Sequence, residues 1–339
     1  MKLDFGVSLL VVFALAFASV FLVTPVLARK IAAAGFLAPD LNKRGRPRVP
    51  KIGGVAVILG FCLAALLSLQ LSTQLLNIPI MLASIATVLL ISLLGLLDDI
   101  LRIRDVWRVV LPAFAALPLM VVKAGTSMIT IPLIGPVQTD LGVVVLPLLG
   151  PVNLNLYVLL LIPVGVVASS NLINLLAGFN GLEAGSGAIV SASLLATLLL
   201  LPANPGTAAA GFLLAALLGA CLAFLVFNWF PAKVFPGNAL TYAIGAVIVA
   251  AVVSANFERA GVIALTPQII EFFLKARSRF QAENFGTPDR AGRLRYGGKI
   301  CSLTHLAMRL LRPTEPQLVA ILLLVQALFG ALAVASVLL

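Results

Sequence analysis

The sequence predicts an all-α polytopic membrane protein with about ten transmembrane helices, a small extracellular β-hairpin and cytoplasmic catalytic loops. Three observations predict it. Of 339 residues, 61% are hydrophobic and 10% charged, with mean hydropathy +1.15, a composition foreign to soluble domains of this length. Several apolar runs approach or exceed the ~18–20 residues that cross a bilayer. The basic residues gather in alternate loops, as expected when only one membrane face is cytoplasmic.

The spans fall at roughly 5–28, 53–71, 79–97, 109–123, 156–176, 186–202, 207–229, 238–255, 259–275 and 316–338. The first outruns the ~7–15-residue core of a signal peptide and reads as a retained span. The fourth and fifth are separated by Gly135-Pro136 between short β-branched runs, the signature of a hairpin. Thr266-Pro267 interrupts the ninth, where proline kinks a membrane helix. The whole chain, 1–339, forms a single integral membrane domain with cytoplasmic loops at about 29–52, 98–108, 171–185, 230–237 and 276–315.

Charge sets the orientation. Of the 23 Lys and Arg residues, 20 lie in loops one, three, seven and nine; only Lys2, Lys123 and Arg259 lie on the other side. The odd loops are therefore cytoplasmic and both termini external. The net charge of +11 belongs to one membrane face and is no nucleic-acid footprint. Topology and attraction to anionic lipid explain most of it, and recognition of a phosphorylated substrate is compatible with both. Cys62, Cys221 and Cys301 show no metal spacing and suggest no disulfide framework. His305 is the sole histidine, which argues against His-based metal or triad chemistry.

Polar groups interrupt this apolar background at four places, all in odd loops. Residues 171–185 read NLINLLAGFNGLEAG, with Asn171, Asn174, Asn180 and Glu183 directly after an apolar run. Amides at a membrane helix end are costly unless they cap it or bind something. Loop one carries Asp40-Leu-Asn42-Lys43, Arg46, Arg48 and Lys51; loop seven carries Phe235-Pro-Gly-Asn238. Span three ends in Gly95-Leu-Leu-Asp98-Asp99. Adjacent carboxylates repel, and either a divalent cation or pairing with Arg102 or Arg104 resolves the repulsion. Carboxylates, amides and basic side chains without Cys or His ligands suit a Mg²⁺–pyrophosphate site, since Mg²⁺ takes oxygen ligands and shares them with phosphates.

In this order, Asp40–Lys43, Gly95–Asp99, Asn171–Gly185 and Phe235–Asn238 resemble the polyprenyl-phosphate N-acetylhexosamine-1-phosphate transferase superfamily. The NGLEAG ending is similar to its eukaryotic and archaeal branch, the UDP-GlcNAc:dolichyl-phosphate GlcNAc-1-phosphotransferases. The histidine-rich ninth-loop motif of the bacterial peptidoglycan enzymes is missing. The resemblance implies attack of a lipid phosphate on the β-phosphorus of UDP-GlcNAc, giving GlcNAc-diphosphate-lipid and UMP. It implies Mg²⁺ (Mn²⁺ as alternative) on Asn174 and Asn238, with Asp98 and Asp99 beside the metal and lipid phosphate and Arg108 on phosphate. It also implies Phe179, Asn180 and Gly181 at the uridine, with Asp40, Asn42, Lys43 and Glu183 in the substrate site. Arg290 and Arg293 would approach the diphosphate and sugar. Dimers occur in the superfamily, so a homodimer is one expected state. The compact loops favour an archaeal cell membrane, or the endoplasmic reticulum in a eukaryote.

Two departures stand out. Arg102 occupies the third acidic position of DDxxD, a mild change. Asn238 stands where the superfamily usually has Asp, which leaves a working lineage variant, an inactivated enzyme or a binding protein. Other readings are another UDP-HexNAc or undecaprenyl phosphate as substrate, and a lipid transporter, though a transporter would place polar groups at midplane. The basic ninth loop is either a disordered linker or a mobile clamp over the sugar.

Overall fold

A computed structural model describes residues 4–71, 76–131, 135–146 and 150–338. Helix α1 (Phe5–Ala33) leads to a short antiparallel pair, β1 (Leu37–Pro39) and β2 (Arg48–Pro50), with Leu37 opposite Pro50. Helices α2 (Gly54–Leu71) and α3 (Ile78–Leu101) follow, then α4 (Asp105–Ala115) and α5 (Leu117–Val121). Two antiparallel pairs come next: β3 (Met128–Ile131) with β4 (Gly135–Gln138), and β5 (Asp140–Leu146) with β6 (Gly150–Asn155). A π-helical turn (Tyr157–Leu161) opens α6 (Ile162–Leu175), followed by α7 (Leu182–Leu198), α8 (Pro205–Asn228) and α9 (Gly237–Ala255). The chain closes with α10 (Glu258–Ala264), α11 (Thr266–Ala276), the pair β7 (Thr287–Pro288) and β8 (Leu294–Arg295), α12 (Leu303–Leu311) and α13 (Glu315–Ala335).

Seven helices among the described residues are long and apolar enough to cross a membrane: α1, α2, α3, α6 with its π turn, α8, α9 and α13. The protein is thus an integral membrane protein. The other three expected spans are shorter or broken. Helix α7 has 17 residues, about 26 Å at 1.5 Å per residue, just under a ~30 Å hydrocarbon core. The fourth breaks at Ala116 and the ninth at Leu265, each two residues before a proline, Pro118 and Pro267. A proline there has no backbone N–H to donate to the preceding turn. The expected single hairpin is two strand pairs, joined where Leu156 donates to the Thr139 carbonyl at 2.9 Å; the turn at 132–134 lies outside the described residues.

Helix α9 is the hub. Every residue from Ala239 to Ala255 except Val249 is buried, and α3, α6 and α8 pack around it. Tails of lipid are as apolar as leucine, so close backbone packing rather than water exclusion holds such helices together. The sequence supplies it with glycine. A Cβ on Gly95 would lie 2.6 Å from the Asn238 carbonyl, and one on Gly245 would lie 2.5 Å from the Ser169 and Ser170 backbone. Ser169 also donates its hydroxyl to the Gly245 carbonyl at 3.0 Å. These two contacts draw the end of α3, carrying Asp98-Asp99, and the end of α6, carrying Asn174, against the start of α9, carrying Asn238. Helix α1 joins the same bundle through glycine contacts, Gly60 against Val20 and Gly219 against Phe13.

Candidate functional site

The first layer of the site is a backbone ladder between loops one and seven. Gly53 and Gly54 donate their N–H groups to the Phe235 and Pro236 carbonyls at 2.8 Å, and Phe235 donates to Pro50 at 2.8 Å. This fixes Lys51 beside the end of α3, where its ammonium reaches the Asp99 carbonyl at 3.0 Å. Gly237 adopts φ +71° directly against Asp99, a position where a side chain would collide with the carboxylate.

The adjacent carboxylates take different parts. Asp98 is buried and saturated: Oδ1 accepts from the Ile103 N–H at 3.0 Å and from Arg108 Nε and Nη2 at 3.1 and 3.0 Å. Its Oδ2 accepts from Asn238 Nδ2 at 2.8 Å. The charge of Asp98 is thus met by Arg108, not by Arg102 or Arg104. Asp99 instead faces a cavity of ≈ 360 Å³, taking the Ala239 N–H at 3.3 Å from the first turn of α9. That N-terminus carries the positive end of the helix dipole toward it.

The hydrogen bond from Asn238 also settles the orientation of its amide. A carboxylate only accepts, so nitrogen faces Asp98 and the carbonyl oxygen faces away. An Asp at position 238 would set two carboxylates at hydrogen-bonding distance. Asn174, half-buried on the opposite side of Thr241, has its Oδ1 3.2 Å from the Thr241 hydroxyl.

Beneath the cavity lies a fully occupied amide. Asn180 donates Nδ2 to Asp40 at 3.1 Å and to Glu315 at 2.7 Å, while its Oδ1 accepts from Lys43 at 2.9 Å and the Ala232 N–H at 2.6 Å. Its backbone N–H also goes to Glu315, at 2.9 Å. Lys43 is paired with Asp40 and sits over the Phe230 ring, 4.6 Å from its centroid. Asn42 donates to the Gly178 carbonyl at 3.0 Å, and Glu183 Oε1 accepts the Gly178 N–H at 2.7 Å. Gly178 has φ +112° with the Phe285 ring against it, a conformation open chiefly to glycine.

The cavity therefore collects six of the predicted residues on its wall: Asp40, Asp99, Asn174, Phe179, Glu183 and Asn238. Asn42, Lys43, Asn180 and Gly181 support it from below, and Asp98 with Arg108 from behind. Arg290 and Arg293 are not brought there. They lie exposed around the β7–β8 turn, which Asp289 closes by accepting the Ala291 and Arg293 N–H groups at 2.9 and 3.0 Å. Those N–H groups, Arg293 first, hold the Asp289 carboxyl below its usual range. From this loop only Phe285 reaches the cavity, its ring 6.1 Å from that of Phe179.

Sequence reasoning missed several contributors. Lys51, singled out only as one of the loop-one charges, is the one basic side chain on the cavity wall among the described residues, and Glu315 anchors Asn180. Asn228 takes the Gly181 N–H at 3.2 Å and donates to Val234 at 2.9 Å. It is an amide ending an apolar run, the same signal that marked Asn171 and Asn174. Asn284 donates to the carbonyls of Leu175 and Ala177 at 2.8 Å and so caps α6.

The polar wall offers oxygen donors to a divalent cation. Among the described residues, three carboxyl groups, Asp40 (paired with Lys43), Asp99 and Glu183, and the ammonium of Lys51 line the cavity, so a diphosphate there would lie beside carboxyl oxygens. The described residues hold no cluster of three or more Asp, Glu, His or Cys that could bind a metal. A cation would rely on the amide oxygens of Asn174 and Asn238 beside Asp99, an all-oxygen set that fits Mg²⁺.

Comparison with known proteins decides the family. The profile of glycosyl transferase family 4 matches residues 80–256. A Saccharolobus solfataricus protein, provisionally named a UDP-N-acetylglucosamine–dolichyl-phosphate N-acetylglucosaminephosphotransferase, is 38% identical over 306 residues, covering 90% of this chain and 89% of its own. The chain belongs to glycosyl transferase family 4. The Dictyostelium discoideum UDP-N-acetylglucosamine–dolichyl-phosphate N-acetylglucosaminephosphotransferase is 25% identical over 293 residues, 76% of this chain and 68% of its own. A phospho-N-acetylmuramoyl-pentapeptide-transferase of Borreliella afzelii is 26% identical over 250 residues, 65% of each chain. The family 4 match spans α3 to the end of α9, the same segment that builds the carboxylate–amide wall.

Proposed function

We propose that this family 4 member transfers GlcNAc-1-phosphate from UDP-GlcNAc to dolichyl or a related polyprenyl phosphate, opening lipid-linked oligosaccharide assembly for N-glycosylation. The observation that carries the reading is the single cavity where loops one, three, five and seven meet, in a chain similar to relatives named for that reaction. The site would face the cytoplasm, under the charge asymmetry of the loops, with ten membrane passages if α4–α5, α7 and α10–α11 each cross.

A lipid phosphate oxygen would attack the β-phosphorus; its bond to the UMP oxygen breaks as the new phosphoanhydride forms. The monoester has a second pKa near ~6 and needs no dedicated base at neutral pH. Positioning and charge then dominate, as in other phosphoryl transfers. Asp99 and Lys51 would order the phosphates at the α9 N-terminus, while Asp98 and Arg108 hold the wall. Asn180 would act as a positioning residue, because its four side-chain hydrogen-bonding positions are already taken. Mg²⁺, or Mn²⁺, would supply neutralisation of the diphosphate at Asn174, Asn238 and Asp99.

Asn238 favours a working variant over an inactivated one: its amide closes a complete hydrogen-bond set on Asp98 while leaving an oxygen free. The test is UMP release from UDP-GlcNAc by the purified protein, with and without dolichyl phosphate and Mg²⁺. Release that requires both supports the reading. No release from this chain, but release from Asn238→Asp, would show a disabled enzyme. Silence from both would remove this donor–acceptor pair.

A further inference from the structure

A second cavity, ≈ 320 Å³, lies between α12 and the strand β8, lined by Arg295, Tyr296, Gly297, Met308, Arg309 and Arg312. It shares no lining residue with the first. We propose that it binds the phosphate headgroup of an anionic bilayer lipid.

Charge is the first argument. Arg295, Arg309 and Arg312 line the cavity, and no carboxylate does among the described residues. Arg295 is tied to Asp289 at 3.2 Å, but Arg309 and Arg312 make no side-chain hydrogen bond or ion pair among the described residues. Like charges so placed repel, and a phosphate accepting from two planar forks relieves the repulsion. The wall is rigid: the Tyr296 ring stacks on His305 at 3.6 Å and 7°. His305 in turn accepts the Cys301 N–H at Nδ1 and donates Nε2–H to the Glu283 carbonyl at 2.7 Å.

The surroundings select a lipid over free phosphate. Helix α12 is amphipathic. Thr304, His305, Ala307 and Met308 face inward, whereas Leu306, Leu310 and Leu311 are 39%, 71% and 60% exposed. The membrane-spanning helix α13 begins at Glu315, four residues beyond Leu311, a reach of at most ~14 Å. The leucines therefore lie within reach of the bilayer boundary, where exposed apolar side chains insert beside basic ones. A phospholipid answers both features, with its headgroup on the arginines and its chains on the leucines.

Native mass spectrometry of the detergent-purified protein, titrated with dioleoyl-phosphatidylglycerol or dioleoyl-phosphatidylcholine, tests this without reference to catalysis. The expected result is saturable retention of one phosphatidylglycerol under conditions that retain no phosphatidylcholine. Arg309→Gln with Arg312→Gln should weaken that retention by about tenfold or more. Leu310→Gln with Leu311→Gln should weaken it too, with the thermal midpoint unchanged. In wild type, raising NaCl from about 0.05 to 0.5 M should release the lipid, a check that survives any misfolded variant. Equal retention of both lipids, retention indifferent to salt or to the arginine changes, or full displacement by excess inorganic phosphate would each overturn the proposal. The last would mark a soluble-anion site.

Discussion

The carboxylate–amide wall and the ninth-loop hairpin carry residues of equal prominence in the sequence, yet the structure treats them oppositely. In the wall, α3, α6 and α9 meet through glycine, and the buried Asp98 carboxylate is fixed from three sides, by Arg108, Ile103 and Asn238. Around the β7–β8 turn, Arg290 and Arg293 project into solvent from a short hairpin closed by Asp289. The difference teaches that charge placement in the wall is built into the bundle, where it cannot drift, while the ninth-loop arginines are carried by a short exposed hairpin.

Breaking the wall should therefore cost the most. Asp99→Asn removes the carboxylate that faces the cavity but leaves Asp98, Arg108 and the backbone ladder intact. UMP release should fall by about 10²–10³-fold with an unchanged thermal midpoint; a rate within threefold of wild type would remove Asp99 from the chemistry. Asp98→Asn should differ in kind: it strips Arg108 of its buried partner, so loss of thermal stability should accompany loss of rate.

Asn180→Ala tests the floor beneath that wall. It deprives Asp40, Glu315, Lys43 and the Ala232 N–H of partners at once. Each buried polar group left unpaired costs about 1–3 kcal/mol, so a destabilisation of about 2–4 kcal/mol is expected after local repair. Denaturant or thermal unfolding in detergent reads this directly. If stability holds and only UDP-GlcNAc affinity falls, Asn180 touches the nucleotide rather than positioning the loop.

Arg290→Ala carries the comparison to the hairpin. If the loop swings over the bound nucleotide sugar, the KM for UDP-GlcNAc should rise about tenfold, the loss of one charge-assisted hydrogen bond. The KM for the lipid phosphate and the unfolding midpoint should stay put. Equal rises for both substrates would count against a sugar-side role.

The same contrast explains what was readable from sequence. Asn174 and Asp98-Asp99 stood out because polar atoms after apolar runs have few places to go, whereas Asn238, at the start of an apolar run, stood out only within Phe235-Pro-Gly-Asn238. The division of labour between Asp98 and Asp99 was not legible, since it depends on Arg108 folding back from the next helix. Glu315 was hidden for a similar reason: its partner Asn180 is 135 positions away, and its place after Thr314 reads as an ordinary helix start. Breaks at Ala116 and Leu265 show how weak a proline signal is alone, because Pro25 and Pro112 sit inside continuous helices. The location of Arg290 and Arg293 relative to the cavity was illegible because nothing in an exposed turn's sequence encodes where it docks.

The smallest expected effect concerns His305 in α12, beside the ninth-loop hairpin. His305 is fully buried, and burial first, with Lys275 adding to it, holds its imidazole below the ordinary value of 6.5. The folded protein thus keeps His305 neutral where the unfolded chain begins to protonate. Between about 6.5 and the lower folded value the unfolded state binds more protons, so stability rises with pH in that window. Its contribution is complete above about pH 6.5 and is lost as pH falls below it. Unfolding followed from pH 7.5 to 5 should show a decline that flattens in His305→Gln, which cannot titrate. An unchanged slope would mean that the protonation of His305 is not linked to the unfolding of the bundle.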